Sequence, residues 1–212
     1  LRAIVIGSEG TLAIVTKVAV RLLRQPEAVR TLLAVYKELE DASRAVSGVI
    51  AEGIVPAALE MMDRLCIEAA EASVHAGYPE GAGAVLLVEV DGLQESVDEE
   101  VEEIEAVCQR FDPIEIRTAT DAAEREALWA GRKGVLGALG RLAPNYYLVD
   151  GTIPRTKLVE VLGKIREISD RSGFPIANLL HAGDGNLHPS VLFDERKPGE
   201  TAKALAVGGE IL

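Results

Sequence analysis

His181-Ala182-Gly183-Asp184-Gly185-Asn186-Leu187-His188-Pro189 holds two of the chain's three histidines around an Asp-Gly pair. Asp-Gly between short apolar runs signals a hairpin, because a tight two-residue turn requires positive φ at both central positions. With Asp184-Gly185 as that turn, Gly183 faces Asn186, Ala182 faces Leu187 and His181 faces His188. Directly opposed residues have Cβ atoms roughly 4.5–5.5 Å apart. Two imidazoles at that spacing reach one small ion, and they serve equally well as polar caps on a turn. The spacing alone leaves both readings open.

Strand and helix patterns alternate on the N-terminal side of this hairpin. Pro175 to Leu180 leads in and Leu187 to Phe193 leads out. Arg155 to Ser172 is an amphipathic helix with Leu158, Val161, Leu162, Ile165 and Ile168 inside, and Gly173 supplies a left-handed stop. Tyr146 to Ile153 reads as a strand closed by Pro154. Thr120 is placed to cap a helix from Asp121 to about Leu139. Further back come strands over 29–36, 57–62, 84–90 and 114–118, and helices over 39–52, 63–73 and 94–111. Strand-helix-strand units around a hairpin predict an α+β fold: a largely antiparallel sheet with helices on one face, of ferredoxin-like character. A doubly wound parallel sheet is the alternative. No repeat is strict enough for a solenoid.

Composition bounds the function. At 48% hydrophobic and 4% aromatic residues, the core rests on Leu, Val, Ile and Ala. A net charge of −12 argues against nucleic-acid or anionic-membrane partners, which need a basic surface. No run approaches the ~20 apolar residues of a membrane span. Cys66 and Cys108 fall in separate predicted helices and read as reduced thiols of a cytoplasmic protein. Membrane association through partners stays open. His75 lies in a loop and reads as a solvent residue. Leu1 is not Met, and Thr201 to Leu212 is a helix pattern without a stop signal, so the chain reads as a piece of a longer protein.

Near the start, Gly7-Ser8-Glu9-Gly10-Thr11 interrupts two apolar runs, Ala3 to Ile6 and Leu12 to Leu23, both strand-like. Such a stretch is a tight loop, or a place where open backbone N–H groups meet a phosphate or a flavin edge. It is not a P-loop, because no Gly-Lys-Ser/Thr follows.

Four motifs in order resemble the FAD-linked oxidase family with the vanillyl-alcohol-oxidase type of flavin domain. They are Gly7 to Ile14, then Leu128-Trp129-x-x-Arg132-Lys133, then Asn145 to Pro154, and the hairpin. Among its members the resemblance is to the glycolate oxidase catalytic subunit, D-lactate dehydrogenase and D-2-hydroxyglutarate dehydrogenase, and it covers almost the whole chain. It implies that residues 1–25 are the last strands of an FAD-binding domain and residues 26–212 a substrate-binding or cap domain. It implies FAD as cofactor, with Gly7, Ser8, Glu9, Gly10, Thr11 and Ile14 at flavin-contacting positions. His181 and His188 match ligands of Zn2+ or another divalent metal. Arg132 matches a clamp for the substrate carboxylate, and Asn186 a polar residue beside flavin and substrate. A third metal ligand and the catalytic base are implied in a Gly-Gly-x-x-x-Gly-Glu-His-Gly segment beyond Leu212.

The implied reaction is oxidation of a small D-2-hydroxy acid, glycolate or D-lactate, by hydride transfer to FAD. This stretch alone is expected to be inactive, and its apolar docking face points to self-association as a homo-oligomer. Other glycolate oxidase subunits or an electron acceptor are the implied partners. There are departures. Ala13 replaces a usual glycine, which bears on how closely the backbone approaches the cofactor. Leu148 stands where the hydroxyglutarate enzyme has lysine and Ser190 where it has asparagine, which argues against a distal carboxylate. Two readings from other classes compete: a non-catalytic ferredoxin-like regulatory or interaction module, and a metal hydrolase built on the histidine pair. Neither accounts for Gly7 to Ile14.

Overall fold

A computed structural model describes residues 1–212. After a one-turn helix, α1 (Arg2–Val5), the chain runs β1 (Ala28–Tyr36), α2 (Leu39–Ala51), β2 (Ala58–Asp63), α3 (Arg64–Val74), β3 (Ala84–Gly92), α4 (Gln94–Gln109) and β4 (Glu115–Thr118). Then follow α5 (Ala122–Ala138), β5 (Asn145–Leu148), β6 (Gly151–Thr152), α6 (Leu158–Ser172), β7 (Ile176–His181), β8 (Asn186–Phe193) and α7 (Glu200–Ile211). The eight strands form one sheet in the order β4-β1-β3-β2-β7-β8-β5, with β6 also on β8. Every pairing is antiparallel.

The order contains two related units. β1-α2-β2 and β3-α4-β4, arranged β4-β1-β3-β2, are a ferredoxin-like βαββαβ with α3 inserted. β5-α6-β7-β8-α7, arranged β7-β8-β5, repeats the first five elements of that pattern. The units join edge to edge through β2 and β7. Their ladder is short: Glu60 opposite His181, Met61 opposite Leu180, Met62 opposite Leu179. Contacts at both ends extend it. The Gly183 N–H donates to the Leu59 carbonyl at 3.0 Å. At the other end, Asn178 donates its backbone N–H (2.7 Å) and its amide (2.9 Å) to Asp63 Oδ2. The buried Asp63 also caps α3, accepting from the Cys66 N–H at 3.0 Å.

Alternation along the strands splits the core. Leu32, Ala34 and Tyr36 of β1 face one side and Leu33 and Val35 the other. The first side is packed by the expected helix layer, α2, α4, α6 and α7, through Val46, Ile104, Leu162 and Ala204 among others. The second side carries a smaller layer of α3 and α5, through Ile67, Ala70, Leu128 and Val135. Cys66 and Cys108 are buried and unpaired, and burial pushes both thiols up, away from reactive thiolate. No helix is long and apolar enough to cross a membrane.

Several expectations need correction. Residues 1–25 form no strand: Arg2–Val5 is helical, and Leu12 to Leu23 has no regular structure and is exposed. A strand pattern becomes a strand only beside a partner that takes its hydrogen bonds, and none of the eight strands pairs with this stretch. The cap of α5 is Asp121, not Thr120: its side chain accepts from the Glu124 N–H at 2.8 Å, while Glu124 reaches back to Thr120. The strand expected over 146–153 is interrupted after Leu148, where its course passes Pro189, which has no N–H for the ladder.

Candidate active site

The hairpin is not a two-residue turn. His181 pairs with Asn186, Leu180 with Leu187 and Leu179 with His188, leaving Ala182 to Gly185 as a four-residue loop. Only Gly185 has positive φ, at +79°. The loop is held from outside. Gly183 bonds to Leu59 of β2, Arg155 donates to the Gly183 carbonyl at 3.1 Å, and Ile153 donates to the Gly185 carbonyl at 3.0 Å. Asp184 uses its side chain, not its φ, and accepts from the Asn186 N–H at 3.1 Å. His181 and His188 are therefore diagonal rather than directly opposed. Diagonal neighbours share a face, and the two rings meet edge-on with centroids 5.2 Å apart.

That face is the one covered by α3 and α5. Glu60 belongs to it, because it pairs directly with His181 across the seam. Arg132 reaches it from α5. Its Nε and Nη2 donate to Glu60 Oε2 at 2.9 and 2.6 Å. The other Glu60 oxygen, Oε1, lies 2.8 Å from His181 Nδ1. Arg132 Nη2 is 3.4 Å from the same nitrogen. Arg132 and Glu60 are both buried, so the charges are compensated by each other and not by water. Arg132 is thus no exposed helix arginine.

His188 lies deeper. Its Nδ1 is buried with no hydrogen-bond partner, and Asp150 Oδ1 stands 3.7 Å away. Burial holds its pKa below the ordinary imidazole value, against the raising pull of Asp150. Asn186 Oδ1 is likewise buried and unpartnered. Buried polar atoms are nearly always paired, and two of the four unpaired ones, His188 Nδ1 and Asn186 Oδ1, lie on this strand of the hairpin. No group of three His, Cys, Asp or Glu is arranged to hold a metal ion. Leu148 and Ser190 pair directly between β5 and β8. Ser190 shares the site's face with His188, two residues away.

The helix carrying Arg132 is anchored by a second carboxylate. Glu89 of β3 accepts from Arg125 Nε (2.8 Å) and Nη2 (2.9 Å), from Trp129 Nε1 (2.7 Å) and from Thr31 Oγ1 (2.9 Å). Arg125, Trp129 and Arg132 follow one stripe of α5 at spacings of four and three. One turn before Arg132, Tyr78 donates its hydroxyl to the Leu128 carbonyl at 2.8 Å.

Gly7, Ser8, Glu9, Gly10, Thr11 and Ile14 are not brought to this face by any pairing. Their hydrogen bonds are local, such as Thr11 to the Ser8 carbonyl. Gly7, Glu9 and Gly10 have positive φ, and a Cβ at either glycine would meet nothing within 4 Å. The segment is an open edge rather than a cradle. His75 is exposed, as expected.

Sequence reasoning missed Glu60, Glu89 and Asp150. A signal existed for the first two: each is a lone carboxylate inside an apolar strand run, Leu59-Glu60-Met61 and Val88-Glu89-Val90. A charge at such a place demands a partner.

This double ferredoxin-like sheet is the fold of the C-terminal domain of FAD-linked oxidases. The chain belongs to that family, whose C-terminal domain matches residues 25–212. It is similar to the glycolate oxidase subunit GlcD of Escherichia coli K12, at 48% identity over 100% of this chain and 42% of that protein. It is similar to GlcD of Bacillus subtilis at 39% identity, over 100% of this chain and 45% of that protein. It is similar to the D-lactate dehydrogenase of Anaerostipes hadrus at 29%, over 96% and 44% respectively. The chain thus spans less than half the length of these relatives. Among solved structures, alkyldihydroxyacetonephosphate synthase superposes with a TM-score of 0.68 at 14% identity, over 99% of this chain and 43% of that one. p-Cresol methylhydroxylase with substrate bound superposes at 0.64 and 14%, over 90% and 44%. At those identities the likeness is one of fold.

Proposed function

We propose that the whole protein is a flavin-dependent oxidoreductase that converts a small D-2-hydroxy acid, glycolate or D-lactate, to the 2-oxo acid. The observation that carries this reading is the gathering of Arg132, His181, Asn186 and His188 on one sheet face at the seam. Membership of the FAD-linked oxidase family supports it.

Arg132 binds the substrate carboxylate. Its Nε edge is taken by Glu60, so the remaining guanidinium edge points the role at one planar acid group. The histidine pair, with the unpartnered nitrogen of His188, suits two ligands of a divalent cation such as Zn2+, which would polarise the substrate hydroxyl. One further ligand is needed, and we assign it and the base that takes the hydroxyl proton to the segment following Leu212. Asn186 directs its free amide oxygen at substrate or flavin. A bound FAD would supply the two-electron acceptor that this oxidation needs. Gly7, Ser8, Glu9, Gly10, Thr11 and Ile14 supply an edge of the flavin site, supported by their exposed backbone. Residues 1–25 then belong to the flavin domain, and 26–212 form the substrate domain. An electron acceptor or companion subunits complete the reaction.

Leu148 beside Ser190 gives the site an uncharged wall, which favours acids with one carboxylate. The test is a substrate screen of the full-length protein with an artificial electron acceptor. Glycolate or D-lactate should outrun any dicarboxylic hydroxy acid. A purified protein without flavin absorbance, or one that turns over only dicarboxylic acids, contradicts the proposal.

A further inference from the structure

We propose that Glu60 is a positioning residue which sets both Arg132 and His181 from a single carboxylate. The geometry decides the protonation. A carboxylate only accepts hydrogen bonds, and Oε1 lies 2.8 Å from His181 Nδ1. Two acceptors do not rest at that distance without a proton between them. The competing donor to Nδ1, Arg132 Nη2, is farther away at 3.4 Å and is already committed to Glu60 Oε2 at 2.6 Å. In its neutral form His181 therefore carries its hydrogen on Nδ1 and presents a lone pair at Nε2. Free imidazole has no such obligation; here the neighbouring hydrogen bond selects the tautomer.

The backbone makes this arrangement rigid. Glu60 and His181 are directly paired residues of the seam ladder. The Gly183–Leu59 bond fixes the chain two residues after His181. On the other flank Arg132 holds Glu60 Oε2 through Nε and Nη2, so the guanidinium grips one oxygen of the carboxylate and the imidazole the other. A guanidinium whose Nε edge is occupied has one orientation left for its free edge, and a ring whose Nδ1 is occupied has one nitrogen left for a ligand. The carboxylate that sequence analysis overlooked thus determines how the two recognised residues face the ligand. The consequence for substrate and metal rests on the function proposed above; the tautomer itself does not.

The experiment uses full-length protein with ring-15N histidine, treated with a chelator so that no metal imposes a tautomer. It is run at a pH above the ordinary imidazole value of roughly 6.5. The His181 signal is assigned by its loss in His181→Gln. In the wild type, His181 should show a protonated-type shift at Nδ1 and an unprotonated-type shift at Nε2. In Glu60→Leu the His181 pattern should reverse towards the Nε2–H form. A wild-type His181 already in the Nε2–H form overturns the proposal, whether or not the variant folds, and so does a folded Glu60→Leu protein with an unchanged pattern. No turnover is needed, so failure of the oxidase reading shows separately, in the substrate screen. As a binding companion, Glu60→Gln should weaken apparent metal affinity by about ten- to a hundredfold. Unchanged affinity in a metal-binding wild type contradicts the positioning role.

Discussion

Arg132 and Glu60 illustrate how a buried charge separates stability from function. Removing one partner leaves the other buried and uncompensated. Arg132→Met should therefore destabilise the protein by about 3–5 kcal/mol, read from denaturant unfolding. Replacing both, as Glu60→Leu with Arg132→Met, should restore most of that stability, because apolar groups of similar volume commonly replace a buried pair without loss. The double variant should be folded and without 2-hydroxy-acid oxidation. A double variant no more stable than Arg132→Met contradicts this account of the pair. Glu89 makes a pH prediction. Burial pushes its carboxyl up, but hydrogen bonds from Arg125, Thr31 and Trp129 outweigh burial and hold its pKa below the ordinary value. A carboxylate depressed on folding stabilises above its unfolded pKa, roughly 4.3, and that stability is lost as pH falls through the folded value. Glu89→Gln should flatten the acid limb of the stability–pH profile below that point and leave its slope near neutrality unchanged.

At the scale of elements, α5 is where local propensity and packing disagree. Gly131 sits in its interior, where alanine would ordinarily favour the helix by about 1 kcal/mol. A Cβ there would lie 2.6 Å from the Tyr78 hydroxyl and 2.7 Å from the Ala76 Cβ. Overpacking of that kind costs about 1–3 kcal/mol and also displaces the Tyr78–Leu128 bond. Gly131→Ala should accordingly destabilise, by about 1–2 kcal/mol net; a raised denaturation midpoint would show that the loop yields and the argument is wrong. The same elements show what sequence conveys. α4 and α6 are legible because Val97, Val101, Ile104 and Leu158, Leu162, Ile165 repeat at helical spacing and are buried as that spacing requires. The strands of the sheet are legible because their apolar runs are covered. Residues 12–23 carry an equally good alternation and form no strand, since alternation states what a strand would bury and not whether a partner is present. The His181–His188 register was misplaced for a related reason. Asp-Gly announces a tight turn, but the bond from Gly183 to Leu59 is a long-range contact that widens the loop to four residues.

In the whole molecule, the site exists because two ferredoxin-like units meet at β2 and β7. Neither unit alone brings Glu60 to His181. The repetition is structural without a strict sequence repeat, so the chain read in order gives the units and not their pseudo-symmetric joint. Asp63 secures that joint from the end opposite the site, capping α3 and receiving both donors of Asn178. Asp63→Ala should destabilise by about 2–4 kcal/mol, the loss of a cap plus two unsatisfied buried donors, as read by chemical denaturation. A loss under about 1 kcal/mol, the cap alone, would mean that the seam does not depend on it. The central claim is that this face takes the carboxylate end of a 2-hydroxy acid for oxidation by a flavin. It is tested most directly by mixing the full-length, flavin-loaded protein anaerobically with glycolate or D-lactate and following the flavin absorbance. The account predicts rapid bleaching in the wild type and bleaching that saturates only at about ten- to a hundredfold higher acid in Arg132→Lys, whose point charge lacks the planar fork. Absence of bleaching with every small 2-hydroxy acid, or identical saturation in the two proteins, would contradict it.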